Sequence, residues 1–313
     1  MEVFMKKFFV VLLAVMMVFS MAACSGGGSS SGGGSTPAEP AAEGGAVGLA
    51  VSTLNNPFFV TLVDGAQAKA DELGVELIVV DAGDDSAKQA SDIEDLISKG
   101  IKVLIVNPVD SDAVAPAIED VIAAGIKVVA VDRMVNGVDV DCSIASDNVL
   151  GAELAAQFLV DTVGAGAKCA ELQGVNGASA TVDRGAGFHN IADSNLEVVA
   201  SQTANFNRAE GLTVMENMLQ ANPDVQCVFA HNDEMALGAL EALEGKEVVV
   251  AGFDATDDAI QAIKDGKMAA TVAQQPDLMG STAVETAQKL MAGEAVETSI
   301  PVEVKLVTAE NVE

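Results

Sequence analysis

Neither tryptophan nor tyrosine occurs among the 313 residues, and histidine occurs twice, at His189 and His231. Cysteine is equally sparse. The four residues at 24, 142, 169 and 227 are too few and too scattered for a disulfide framework. With the histidines far apart and no two cysteines close together, no metal-site spacing can be assembled, and DAGDDSAK (81–88) lacks the alternating oxygen ligands of a calcium loop. Basic residues are the next shortage. Sixteen Lys and Arg stand against 46 Asp and Glu, a net charge of −30, so like-charge repulsion removes nucleic acid and anionic membrane surfaces as partners. Catalytic signatures are missing as well: GASAT (177–181) misses the last glycine of a hydrolase elbow, and Gly245-Lys246 is followed by Glu247 rather than Ser or Thr. LNNPFF (54–59) stands where a dinucleotide glycine motif would follow the first strand. His231 beside Asp233 has the look of a base and its orienter, but without a nucleophile it reads as a polar rim residue. An enzyme is therefore unsupported, and the expectation is a non-enzyme without cofactor or metal.

What the chain does have is apolar material, 50% of residues with only 20% charged, the balance of a packed protein rather than a disordered one. Its N-terminus is distinct. Lys6 and Lys7 precede an apolar run from Phe8 to Ala23 broken only by Ser20, the length of a secretory core and short of the roughly 20 residues a membrane span prefers. Residues 1–23 read as a signal peptide, starting at Met1 or Met5. Met21-Ala22-Ala23-Cys24 resembles the lipobox of bacterial lipoproteins, with Met21 where Leu is usual, and this implies lipidation of Cys24 as the mature N-terminus. Residues 25–45, Gly/Ser-rich and then Pro/Ala/Glu, cannot bury a core and read as a flexible tether with a reach of about 25 Å. A globule tethered at the outer face of the cell membrane follows, in the periplasm where a second membrane exists. Cys169 and Cys227 lie in apolar, strand-like runs and read as buried thiols rather than a bridge or a nucleophile.

From residue 46 short β-rich runs alternate with helix-period segments, the pattern of βαβ units and a parallel sheet. One set of strands is expected at 46–53, 75–82, 101–108, 126–132 and 141–146. A second is expected at 167–174, 196–202, 225–232, 246–254 and 268–274, and a last strand at 299–307. Helices are expected at 57–73, 86–99, 113–124, 207–220 and 234–243, and from Pro276 onward. Near-continuous Val, Ile and Leu in the strands says that helices cover both sheet faces. Two successive sets predict two similar doubly wound α/β domains with parallel sheets. In open α/β sheets solutes bind beyond the carboxyl ends of strands. Those ends carry Asn55, Asn56, Asp81, Asn107, Asp110, Asp132, Arg133, Gln173, Asn232, Asp233, Asp254 and Gln274. A cleft shared by two domains is a preferred small-molecule site.

LAVSTLNNPFFVTLVDGAQ (49–67), VDRM (131–134), SIASDNVLG (143–151), AELQGVNGASATVDRGAGF (170–188), VFAHNDEMALGAL (228–240), VAGFDAT (250–256) and ATVAQQPD (270–277) together resemble the sugar-binding type I periplasmic binding proteins of bacterial ABC importers, of the ribose-binding kind. The resemblance runs from about residue 46 to the end. It implies two lobes joined by a multi-strand hinge, residues 46–146 plus 276–302 forming one and residues 147–275 plus 303–313 the other. It further implies that Asn56, Asp132, Arg133, Arg184, Asn232, Asp254 and Gln274 hydrogen-bond a sugar, and that Phe58, Phe59 and Phe206 sandwich its apolar faces. Two departures lie beside these positions: Val182, where Arg is expected, and His231, where Gln is expected. Both leave room for a changed sugar preference.

The implied set makes chemical sense. Sugar hydroxyls donate and accept, so they match carboxylate acceptors, guanidinium donors and amides that do both. Two Asp and two Arg sum to zero, which suits a neutral solute, and C–H faces pack on aromatic rings. Taken singly, each residue has an ordinary explanation: Phe58 or Phe59 as core, Asp132–Arg133 as a surface ion pair, Arg184 as a solvated cation, Asn232 or Asp233 as a helix cap, Gln274 as part of a hinge. The expectation is a monomeric, lipid-anchored solute-binding protein that takes a pentose, D-ribose first, and delivers it to the permease subunits of an ABC importer. The alternatives are a sugar-sensing subunit serving a chemoreceptor or kinase, and a related sugar such as allose. A repressor of the same fold would need a basic DNA-binding segment where the signal and tether stand.

Overall fold

A computed structural model describes residues 45–312. The signal segment, Cys24 and nearly all of the tether lie outside the described residues. Among the described residues no helix is long and apolar enough to cross a membrane.

The first half carries β1 (Val47–Val51), α1 (Pro57–Leu73), β2 (Leu77–Asp81), α2 (Ser86–Ser98), β3 (Val103–Val106), α3 (Ala115–Ala123), β4 (Lys127–Val131) and β5 (Cys142–Ser146). The second carries α4 (Asn148–Val163), β6 (Lys168–Gln173), α5 (Ser179–Asn195), β7 (Glu197–Thr203), α6 (Arg208–Ala221), β8 (Cys227–Ala230), α7 (Asp233–Ala242), β9 (Val249–Ala251), α8 (Asp257–Lys264) and β10 (Ala270–Ala273). Then α9 (Pro276–Met291) returns to the first half, and β11 (Ser299–Val302) and β12 (Lys305–Thr308) follow. The two six-stranded sheets have matching orders, β2-β1-β3-β4-β5-β11 and β7-β6-β8-β9-β10-β12. These are the two doubly wound α/β domains that the alternation of apolar strands and amphipathic helices predicts.

Side-chain alternation explains why both faces of each sheet are covered. On β3, Val103 and Ile105 join one core cluster while Leu104 and Val106 join another on the opposite face. The second sheet divides likewise: Val228 and Ala230 of β8 face one cluster, Cys227 and Phe229 the other. Each fully buried Leu, Ile or Phe contributes on the order of 1.5–3 kcal/mol. The edge strand β2 is only half-buried along its length, as its position predicts. The three described cysteines are free and buried.

Local signals set the helix starts. Asn56, Asp85, Asp147, Asn207, Asn232 and Thr256 each accept a backbone N–H of the first turn, and Pro57 and Pro276 occupy the first helical position, where no N–H is needed. Glycine matters most where α1 crosses α9. A Cβ at Gly280 would press on the Leu62 carbonyl, and one at Gly65 on the backbone of Asp277. The pair lets the two helices approach almost backbone to backbone.

The 299–307 segment expected as one strand is two. β11 pairs parallel with β5 and β12 antiparallel with β10, separated by Glu303 and Val304. The carboxyl ends of the two sheets face each other, so a strand that leaves the first sheet there and runs straight on enters the second against its direction. Pro301 is tolerated in β11 because the strand lies at a sheet edge. Helices α4 and α8 fall where the periodicity singled out no helix. In α4 the buried residues include Asn148, Gly151 and three alanines, a small-residue face with weak contrast, and α8 has only 8 residues. The chain passes between sheets at Asp147, at Gln274–Gln275 and at Glu303–Val304.

Candidate functional site

The carboxyl ends of the strands place the polar residues. Asn56 caps α1 just after β1, with Phe58 and Phe59 in the first turn. Asp132 and Arg133 follow β4, Phe206 follows β7, Asn232 caps α7 after β8, Asp254 follows β9 and Gln274 follows β10, while Arg184 sits on α5 after β6. Together with Ala180 these ten residues line one cavity of about 240 Å³ between the two halves. A solute inside it touches elements of both sheets.

Charges in the cavity are paired and buried. Asp132 and Arg133 are each almost fully buried, with Nε 3.8 Å from Oδ2, and Arg184 Nη1 lies 3.7 Å from Asp254 Oδ1. The first pair is thus not on the surface, and Arg184 is not a solvated cation. Amides support both carboxylates: Asn107 Nδ2 donates to Asp132 Oδ2 at 2.9 Å and Gln274 Nε2 to Asp254 Oδ1 at 2.7 Å. Arg133 donates through Nη1 to the Pro108 carbonyl (2.8 Å); Arg184 donates to the His231 carbonyl (2.6 Å) and through Nε to Asn148 Oδ1 (2.8 Å). Burial pushes both carboxyls above the usual carboxylate range, against the pull of the guanidinia, and pushes both arginines down. The arrangement is a set of four buried ionisable groups that sum to zero and favour a neutral, hydroxyl-rich partner.

Several hydrogen-bonding atoms remain for such a partner. Arg133 Nε and Gln274 Oε1 are buried without a protein partner, each an uncompensated desolvation of about 1–3 kcal/mol. Asn56 and Asn232 spend Oδ1 on the N–H groups of Phe58 and Met235; Asn56 keeps its NH₂ to offer, and Asn232, whose Nδ2 donates to the Phe206 carbonyl (3.3 Å), keeps one N–H. The cap at α7 is Asn232, not Asp233; Asp233 lies in the first turn, fully buried, and accepts from Thr271 Oγ1 and the Thr256 backbone. Three aromatic rings complete the walls. Phe58 and Phe59 meet edge to face with centroids 5.1 Å apart, and the Arg133 guanidinium lies over Phe59 and Phe206, 5.3 and 5.4 Å from their centroids. Arg184 stacks 3.8 Å over Phe253, outside the cavity lining.

Strain concentrates here. Asp132, Phe206 and Asp254 all have positive φ, at 63°, 57° and 124°, a cost of order 1–3 kcal/mol each that persists where the surroundings impose it. The halves also bond directly beside the cavity: Ser111 N donates to the Gly177 carbonyl (3.0 Å), Ser179 N to Ser111 Oγ (3.1 Å) and Met134 N to Ser179 Oγ (2.8 Å).

Of the strand-end polar residues, Asn55, Asp81, Asp110 and Gln173 do not line the cavity, and Asn107 acts one layer behind it. Val182 is 63% exposed and takes no part in the lining. His231, read from its neighbours as a rim residue, is wholly buried beneath the site with Nε2 2.9 Å from Glu171 Oε1. Ala180, Asn148 and Phe253 carry no sequence signal as site residues: a methyl, a helix-start amide and a core ring acquire roles only through their neighbours. Among the described residues no cluster of His, Cys, Asp or Glu is placed to hold a metal ion.

Residues 47–295 match the family model described as periplasmic binding protein domain. The ribose import binding protein of Bacillus subtilis is 52% identical over 264 residues, covering 84% of this chain and 87% of that protein. An ABC transporter solute-binding protein from Mycobacterium smegmatis with bound glycerol superposes with a TM-score of 0.82 at 38% identity, covering 86% of this chain and 96% of that one. The Caulobacter myo-inositol binding protein superposes with a TM-score of 0.83 at 35% identity, covering 88% and 97%. Two doubly wound domains, a polar and aromatic cavity between them, and identity of this extent show that the chain belongs to the periplasmic binding protein family.

Proposed function

We propose that this protein is the extracytoplasmic solute-binding component of an ABC sugar importer, that it takes a neutral monosaccharide, D-ribose, into the cavity between its halves, and that it presents the closed form to a membrane permease. The observation that carries this reading is the convergence of Asn56, Phe58, Phe59, Asp132, Arg133, Arg184, Phe206, Asn232, Asp254 and Gln274 on one cavity. About half identity to a ribose import binding protein supports the choice of sugar. Asp132 and Asp254 accept from sugar hydroxyls, the two arginines and the asparagine amides donate, Gln274 Oε1 accepts, and the Phe rings cover the C–H faces. Each charge-assisted bond is worth about 1.5–3 kcal/mol.

Closure follows from differential affinity. The sugar meets residues of both halves only when they are together, so binding shifts the population toward the closed form. The three crossings near residues 147, 274 and 303 serve as the hinge between lobes made of residues 46–146 plus 276–302 and residues 147–275 plus 303–313. The protein binds without turnover and acts as a monomer, with residues 1–23 removed as a signal peptide and Cys24 lipidated as the membrane anchor.

Calorimetric titration with a panel of pentoses and hexoses tests the reading. D-ribose is expected to bind best and to be recovered unchanged, and Asp132→Ala and Arg184→Ala are expected to abolish measurable heat. Equal ribose affinity in both variants would overturn the site. Mass spectrometry of the membrane-extracted protein tests the anchor, with a diacylglyceryl adduct expected on Cys24.

A further inference from the structure

Behind the cavity, on the side away from the solute, lies a second group of charges. Glu171 of β6 is fully buried. Its carboxylate accepts from Ser201 Oγ on β7 (2.5 Å) and Gln173 Nε2 (3.1 Å), faces His231 Nε2 at 2.9 Å, and lies 3.4 Å from His189 Nε2 on α5. The other His189 nitrogen is 2.7 Å from Asp193. None of these side chains lines the cavity. Yet the cluster grips both elements that place Arg184: α5, which carries it, and the end of β8, whose His231 carbonyl takes Arg184 Nη1. The residue after His231 is Asn232, another cavity residue.

We propose that Glu171, clamped between His231 and His189, is a positioning residue for Arg184, and that the clamp makes solute affinity fall as pH rises past neutrality. The inference rests on the solute-binding reading above.

The two imidazoles differ in kind. His189 has carboxylates opposite both ring nitrogens, so two donors, the imidazolium form, satisfy it best. Partial burial lowers its pKa, but the bond to Asp193 and the charge of Glu171 prevail and raise it. His231 is wholly buried and its Nδ1 has no partner, which fits a neutral ring donating through Nε2. Burial pushes its pKa down despite Glu171. Glu171 itself is opposed by burial and held below the usual range by His231, Ser201 and His189. The charged and titratable groups facing the cluster are Arg184, His189 and Asp193 on α5, His231 after β8, and Cys169 on β6; α4 sends Glu153 to Asn190, next to His189. The countercharge of Glu171 that titrates is His189. Its folded pKa is raised, so its stabilising charge is complete at low pH and is lost as pH climbs through that value. Glu171 then keeps a buried charge with only neutral partners, and the α5–β8 junction holding Arg184 loosens.

The test is calorimetry of D-ribose binding between pH 6 and 8.5 on the parent, Glu171→Gln and His189→Gln, with histidine ring NMR of the sugar-free proteins. The described chain holds only these two histidines, and they are the only two in the sequence, so the signals are few. In the parent, affinity should weaken several-fold across the range, with one ring titrating above the ordinary imidazole value and the other staying neutral. Glu171→Gln should bind roughly tenfold more weakly at pH 6, the scale of one misplaced charge-assisted bond, with a flattened profile. His189→Gln, altered at a 38% exposed side chain, should fold normally and bind at every pH with the weakened affinity that the parent reaches only at high pH. A pH-independent parent, or a parental profile in His189→Gln, would overturn the proposal. Should Glu171→Gln not fold, His189→Gln decides. Failure of the parent to bind any sugar would refute the solute reading, whereas the ring titrations judge the clamp without sugar.

Discussion

Asp132 and Asp254 hold equivalent posts in the two halves. Each lies just beyond the fourth strand of its half, in a backbone conformation of positive φ, with a buried amide donating to it and an arginine within 3.8 Å. Matching sheet orders bring the two carboxylates to one cavity from opposite sides. A single monosaccharide can thereby be gripped by the same device twice.

Replacing Asp132 should move binding and stability in opposite directions. Burial holds this carboxyl above its usual pKa, so the charge is costly without a solute, and Asn tolerates the left-handed backbone. Asp132→Asn is expected to weaken ribose binding at least about 100-fold, two charge-assisted bonds degraded, while the thermal midpoint holds or rises. Calorimetry and thermal denaturation on one sample check both.

Arg184 should tolerate no lysine. Its fork reaches Asn148 and the His231 carbonyl at once and its plane stacks on Phe253, geometry an ammonium cannot reproduce. Arg184→Lys is expected to lose measurable ribose binding and roughly 1–3 kcal/mol of stability, read by urea denaturation.

Stability should decline with rising pH through one buried acid. Burial raises Asp233 to about 7, against the hydrogen bonds from Thr271 and Thr256. Between the ordinary carboxylate value and that point the folded state keeps a proton the unfolded chain has released, so this group's contribution falls as pH rises across the window. Asp233→Asn should flatten the slope of unfolding free energy between pH 4 and 7; an unchanged slope would show that Asp233 is ionised throughout.

The direct bonds between halves should matter for residence time. Ser179 donates to Ser111 through its backbone and receives Met134 N at 2.8 Å. Ser179→Ala removes the second bond without touching the cavity, and is expected to raise the ribose dissociation rate about three- to tenfold at little cost to folding, the size of one net hydrogen bond. Stopped-flow fluorescence of a labelled variant measures it.

Crowding at the α1–α9 crossing gives a purely structural expectation. Gly280→Ala drives a methyl into the Leu62 carbonyl and should cost about 1–3 kcal/mol of overpacking, seen as a lower denaturation midpoint with the ribose affinity of the folded protein retained.

Much of the fold is legible in the chain because strands buried on both faces must be continuous apolar runs, and because helices begin at capping residues such as Asn56 and Asp85. Less legible are α4, whose small residues blur its face, and the split of 299–308, which depends on the sheets meeting end to end. By itself the sequence determined two α/β sets, a neutral pairing of acids and arginines at strand ends, and a polar-aromatic list suited to a sugar, since composition and spacing fix what each element can bury and expose. Only the tertiary structure decided that Ala180 lines the cavity, that Asn107 and Asn148 hold its charges, and that His231 lies beneath it with Glu171. Those roles come from contacts between residues 25 or more positions apart, and the close approach of distant strands, rather than any local pattern, creates them.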